Sequence, residues 1–178
     1  MGRPYLGHEN FVSAENLSIG GTAVLATAAE INRAADVSTR IVNVTASTLS
    51  ATAASHDSKT VTLNRAAGQA VTLPAASGSG ARFRFIIGTT VTSNSTTIKV
   101  ANSSDTMVGV GMQAADGGST VNFWEAGGTD DTITFNGTTT GGIKGDLVEL
   151  EDIATNLWHV RVLGSATGTE ATPFSATV

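Results

Sequence analysis

The sequence has no cysteine, which excludes disulfides, thiolate catalysis and the common zinc knots, so stability has to come from packing or from oligomerisation. Charge is also scarce: 14% of the 178 residues are Asp, Glu, Lys or Arg, against a usual proportion of about 25%. The surface must therefore be hydrated by hydroxyls and backbone. Threonine suits that task on the outward face of a pleated strand, whereas a helical surface would carry more Glu and Lys. Basic runs are missing, and a net charge of −5 with a pI near 5.0 argues against a nucleic-acid partner, which demands Lys and Arg to displace counterions from phosphates. Long hydrophobic runs are missing too. No stretch approaches the roughly 20 apolar residues of a membrane span, and residues 1–11 lack the apolar core of a signal peptide, so neither a membrane partner nor export by the general route is expected.

What is present is alternation. Within residues 81–135, Phe83, Phe85 and Ile87 alternate with Arg82 and Arg84, Ile98 and Val100 flank Lys99, Val121 and Phe123 flank Asn122, and Ile133 and Phe135 flank Thr134. A period of two means half-buried strands. The length suits one domain able to bury roughly 70% of the surface of its unfolded chain.

Three stretches follow in order: an extended N-terminal arm over residues 1–40, a β-rich domain over 41–164, and an extended C-terminal tail over 165–178. The arm scatters large apolar residues without a period, and Tyr5, Leu6, Phe11, Leu17 and Ile19 are candidate anchors on a partner or a neighbouring subunit. Thr27 and Glu30 form a capping box for a short helix near residues 28–36, which carries Ile31 as a further contact candidate. Residues 41–45 begin the strands, and residues 48–58 read as a polar interval. Residues 60–64 and 70–74 read as a hairpin, Ser77-Gly78-Ser79-Gly80 as a flexible turn, and Asn136-Gly137 as the strongest hairpin signal. Residues 107–112 and 120–124 are joined through Asp116-Gly117-Gly118, residues 146–151 and 156–163 read as the last strong strands, and Phe174 docks the tail. Many short strands imply an all-β fold, an antiparallel sandwich or jelly-roll-like barrel.

No constellation of reactive groups emerges, so no catalytic residue, metal ligand set or cofactor is assigned. His8, His56 and His159 are far apart and lack a second ligand at metal spacing. Glu149 and Glu151 share one face of a strand, as a glycosidase pair would, but i, i+2 carboxylates suit a solvated face better. Asp116, Asp130 and Asp131 sit among glycines where calcium could bind, yet no calcium-loop pattern supports them, and turn formation explains them. Lys144 follows a Gly-rich run that lacks the phosphate-loop order. Trp124 and Trp158 could stack on sugars, although burial or an interface suits them better.

Leu25-Ala26-Thr27-Ala28-Ala29-Glu30-Ile31-Asn32 resembles a segment that recurs in tailed-bacteriophage virion proteins, both fibres and small head proteins. Residues 71–80, Asp131-Thr132-Ile133-Thr134-Phe135-Asn136-Gly137, Gly141-Gly142 with Lys144-Gly145-Asp146, and Ala171-Thr172-Pro173-Phe174-Ser175 resemble small phage proteins that decorate heads. The resemblance implies a non-enzymatic decoration, or cement, protein. Such a protein would be a homotrimer made in the host cytoplasm and bound to the major capsid protein on the outside of the head. A tail-fibre or receptor-binding component and a carbohydrate-binding adhesive module are the alternatives. A fibre would be longer or show repeats, and neither is seen. Deleting residues 1–38 is expected to abolish capsid binding while leaving a folded β-domain.

Overall fold

The computed structural model describes Ser18–Ile19, Thr22–Ala23, residues 25–35 and residues 40–178. The chain divides into two compact units, Met1–Val37 and Ser38–Val178. Within the first, β1 (Ser18–Ile19) pairs antiparallel with β2 (Thr22–Ala23), and α1 spans Ala28–Ala35. The capping box forms as the sequence predicts: the Thr27 amide donates to Glu30 Oε2 at 2.7 Å and the Glu30 amide donates to Thr27 Oγ1 at 3.3 Å. Tyr5, Leu6, Phe11 and Leu17 lie outside the described residues.

The second unit is a sandwich of two mixed sheets. Its elements are β3 (Ile41–Val44), β4 (Thr48–Ser50), α2 (Ala53–His56), β5 (Thr60–Leu63), β6 (Ala70–Thr72), β7 (Arg82–Ile87) and β8 (Thr96–Lys99), followed by β9 (Thr106–Ala114), β10 (Val121–Ala126), β11 (Thr132–Phe135), β12 (Leu147–Ala154), β13 (Leu157–Ser165) and β14 (Phe174–Ser175). The large sheet runs β10-β9-β13-β12-β7-β5-β3 and the small one β14-β11-β8-β6-β4. The polar interval expected over residues 48–58 thus holds both β4 and α2.

The all-β sandwich matches the reading of the alternation, and the strand connections refine it. From β3 to β8 the chain crosses between sheets at every step: β3, β5 and β7 lie side by side and parallel in the large sheet, and β4, β6 and β8 do the same in the small one. This half of the sandwich winds as three turns of a parallel solenoid. The hairpin expected from residues 60–64 and 70–74 is therefore absent, since β5 and β6 belong to different sheets. Gln69 shows why. Its buried side chain donates to the carbonyls of Val44 and Ala46, so the connection is held toward the preceding turn of the solenoid. The second half is folded differently: β9–β10 and β12–β13 are antiparallel pairs, and β13 runs parallel to β9.

Asn136-Gly137 also makes no hairpin, because β11 and β12 sit in different sheets. The Asn136 side-chain oxygen instead accepts from the Thr138 and Thr140 amides, an Asx-type closure that competes with a two-residue turn. Gly137 (φ +83) packs so closely that an added Cβ would lie 1.8 Å from the Val91 carbonyl oxygen.

The inward-facing residues of both sheets form one core. Val61, Leu63, Phe83, Phe85, Val148, Trp158 and Val160 come from the large sheet and Val71, Ile98, Ile133 and Phe135 from the small one, all almost fully buried. Phe83 is central: it meets Phe85 with ring centroids 6.3 Å apart and Trp158 edge-on at 5.7 Å, geometries that add to the burial of apolar area. Phe174 anchors the tail as the sequence predicts, pairing in β14 with Ile133 and staying buried.

Candidate functional site on the outer face of the large sheet

Buried carboxylates are the first chemical candidates, and they serve as staples. Asp152 accepts from the amides of Ser77, Gly78 and Ser79 and from the hydroxyls of both serines, at 2.7–3.1 Å. Residues 77–80, which read as a flexible turn, are thus wrapped around a carboxylate. Burial pushes this carboxyl up, but the bonds from the Ser79 hydroxyl and from the Ser79, Gly78 and Ser77 amides outweigh it, lowering the pKa to about 2. Asp131 holds the C-terminal end: burial raises it, while the Thr177 amide, the Thr132 hydroxyl and the Val178 amide bring it below the ordinary carboxylate value. Asp146 accepts from the amides of Ile143, Gly142 and Ser165, yet burial dominates and pushes its carboxyl up.

The remaining candidates from the sequence are accounted for in similar terms. Asp116 accepts from the Gly168 amide and Asp130 from the Gly127 amide, so both close loops. No group of three possible metal ligands occurs among the described residues. His56 is buried, with Nδ1 accepting from the Thr52 amide, and His159 is exposed, as its strand parity predicts. His8 lies outside the described residues. Trp158 is fully buried and half-buried Trp124 donates through Nε1 to Gln113, so Trp158 offers no platform for a sugar. Lys144 is exposed, its amide bonded to Thr90 Oγ1. Ile19 lies in β1, and Ile31 is partly exposed on α1. Among the described residues, no helix is long and apolar enough to cross a membrane.

The outward face of the large sheet carries what the sequence left scattered. Pairing registers place Thr60, Arg84, Glu149, Arg161, Val110 and Glu125 in one row across six strands. The next row holds Arg82, Glu151, His159 and Val108. On the other side of the first row, Leu147, Leu163, Met112 and Phe123 are aligned. The middle of this face is a groove of about 520 Å³ in which Lys59, Arg82, Arg84 and Arg161 face Glu149 and Glu151. Four cations against two carboxylates make it net positive, in a chain whose net charge is −5.

Glu149 and Glu151 act here as rungs of an ion-pair ladder. Arg82 Nη2 meets Glu151 at 2.9 Å, whereas Glu149 is shared by Arg84 Nε at 3.6 Å and Arg161 Nη1 at 3.5 Å. All these side chains are well exposed, so each pair contributes about 0.2–1 kcal/mol at most. Beside the ladder runs an apolar strip in which Val108 and Val110 are 42% and 47% exposed, and Val121 and Phe123 52% and 69%.

This face belongs to a mixed-sheet β-sandwich, and that is the class the fold defines. Comparison with known protein families, curated proteins and solved structures finds no match to the chain.

Proposed function

We propose that the chain is a non-enzymatic bacteriophage head-decoration protein, which binds the major capsid protein on the outside of the assembled shell as a homotrimer and stabilises it. It is made in the host cytoplasm, carries no cofactor, and engages neither nucleic acid nor membrane. The resemblance of residues 25–32 and of the later segments to phage virion proteins gives the reading its direction. The observation that carries it is the outer sheet face, where a charged ladder and an exposed apolar strip lie side by side on a rigid sandwich. That pairing of polar and apolar contact is what a protein-binding surface needs.

Cementing follows from linkage. A protein that binds only the assembled shell stabilises that state by mass action, and three joined copies act at a high effective concentration, so modest individual contacts suffice. The test is cosedimentation of the purified chain with phage shells that lack it. Saturable binding with a raised shell disruption temperature is the expected result, and chain left wholly in the supernatant ends the reading.

A further inference from the structure

We infer that the outer-face groove is a recognition site for an acidic, extended peptide segment of a protein partner, carboxylates at one end and apolar side chains at the other. Three features of the groove lead there. Its cations outnumber its carboxylates in an otherwise acidic protein, so an incoming anion meets attraction locally. Glu149 satisfies neither of its two arginines at short range: the Arg84 and Arg161 contacts are 3.6 and 3.5 Å against 2.9 Å for Arg82 with Glu151. Guanidinium forks prefer bidentate carboxylates, and a ligand carboxylate seated between Arg84 and Arg161 would supply one. Among the described residues Lys59 has no ion-pair partner and adds a further cation.

The apolar strip selects peptide over small anions. Val108 and Val110 lie directly beside His159 and Arg161 in register, and Phe123 beside Met112 one strand further on. A free phosphate or a sugar acid filling the cationic part would leave this strip bare. From Arg84 on β7 to Val110 on β9 the sheet order β7-β12-β13-β9 makes a crossing of about 14 Å at the usual strand spacing. An extended chain spans that with about four or five residues.

The inference concerns the purified protein and stands apart from the head assignment. A chain that binds acidic peptide but is absent from virions would keep the first and end the second.

The experiment uses the full chain and a fluorescein-labelled hexapeptide with two glutamates at one end and valine and phenylalanine at the other, followed by anisotropy at low salt. Saturable binding is expected, weakened at least about tenfold by Arg84→Gln with Arg161→Gln. Phe123→Ser should weaken it several-fold, and Lys144→Gln, outside the groove, should leave it unchanged. Glu149→Gln frees two guanidinium groups and should tighten binding, an effect that misfolding cannot mimic. Absence of binding, loss of affinity in Glu149→Gln, or full displacement by an equal concentration of inorganic phosphate would each overturn the inference.

Discussion

At the residue scale, the most consequential groups are carboxylates and glycines that join loops to strands. Asp152 gathers five donor groups from residues 77–79. Asp152→Asn removes the charge and half of the acceptor capacity, and should cost about 1–3 kcal/mol in denaturant unfolding. The pH dependence has a definite sign. Its folded pKa of about 2 lies below the ordinary carboxyl value of 3.8, so its stabilisation is fully present above the unfolded value and is lost as pH falls through 3.8 toward 2. Asp131, also lowered, adds to that acid loss. Asp146, whose carboxyl is raised, works in the opposite sense: its contribution is greatest at low pH and fades as pH rises through its folded value. Thermal melts from pH 6 to pH 2 should show an acid limb that flattens in Asp152→Asn; an unaltered limb would remove Asp152 from this role. Backbone contact makes Gly109 equally intolerant. A Cβ there would lie 1.9 Å from the Val160 carbonyl oxygen, at φ +147, so Gly109→Ala should destabilise by more than about 3 kcal/mol.

At the scale of elements, the sequence discloses strands far better than it discloses their neighbours. Alternation locates β7, β8, β10, β11, β12 and β13 and assigns faces correctly in β7 and β13, where Arg82, Arg84, His159 and Arg161 point outward; in β10 it misleads, because the apolar Val121 and Phe123 lie on the exposed face. It gives no information on which strands lie side by side. The three solenoid turns from β3 to β8 have unequal links and no repeated residues, so nothing announces parallel pairing. Asn136-Gly137 misleads because the same asparagine that suits a two-residue turn also closes a longer loop on its own backbone. The groove was hidden for the same reason: its outward parity was legible residue by residue, but Arg82 and Glu151 are 69 positions apart and meet only through the order of strands. Short β4 and α2 lack enough residues for a period. The helix start, by contrast, was legible because a capping box is wholly local.

The division between Met1–Val37 and Ser38–Val178 makes a further element-scale prediction. A chain beginning at Ser38 retains the whole core of the sandwich. It should therefore keep its β-type circular dichroism and melt cooperatively within a few degrees of the full chain. Loss of cooperative melting would show that residues 1–37 are needed for folding. With folding retained, the truncated chain also tests whether Ile31 and the anchors outside the described residues hold the protein to a shell. Cosedimentation should fall sharply, and undiminished binding would move attachment entirely to the outer sheet face.

At the scale of the whole molecule, decoration and tail attachment differ most in number. A protein that covers the shell must be present in a fixed, large proportion to the major capsid protein, whereas a fibre or receptor-binding component is confined to the tail or a vertex. The most direct measurement is therefore the ratio of this chain to the major capsid protein in purified virions, by quantitative mass spectrometry with labelled peptide standards. Head decoration requires a ratio near one chain per capsid subunit or a simple fraction of it. A ratio corresponding only to tail or vertex copies, or absence from the virion, would contradict it.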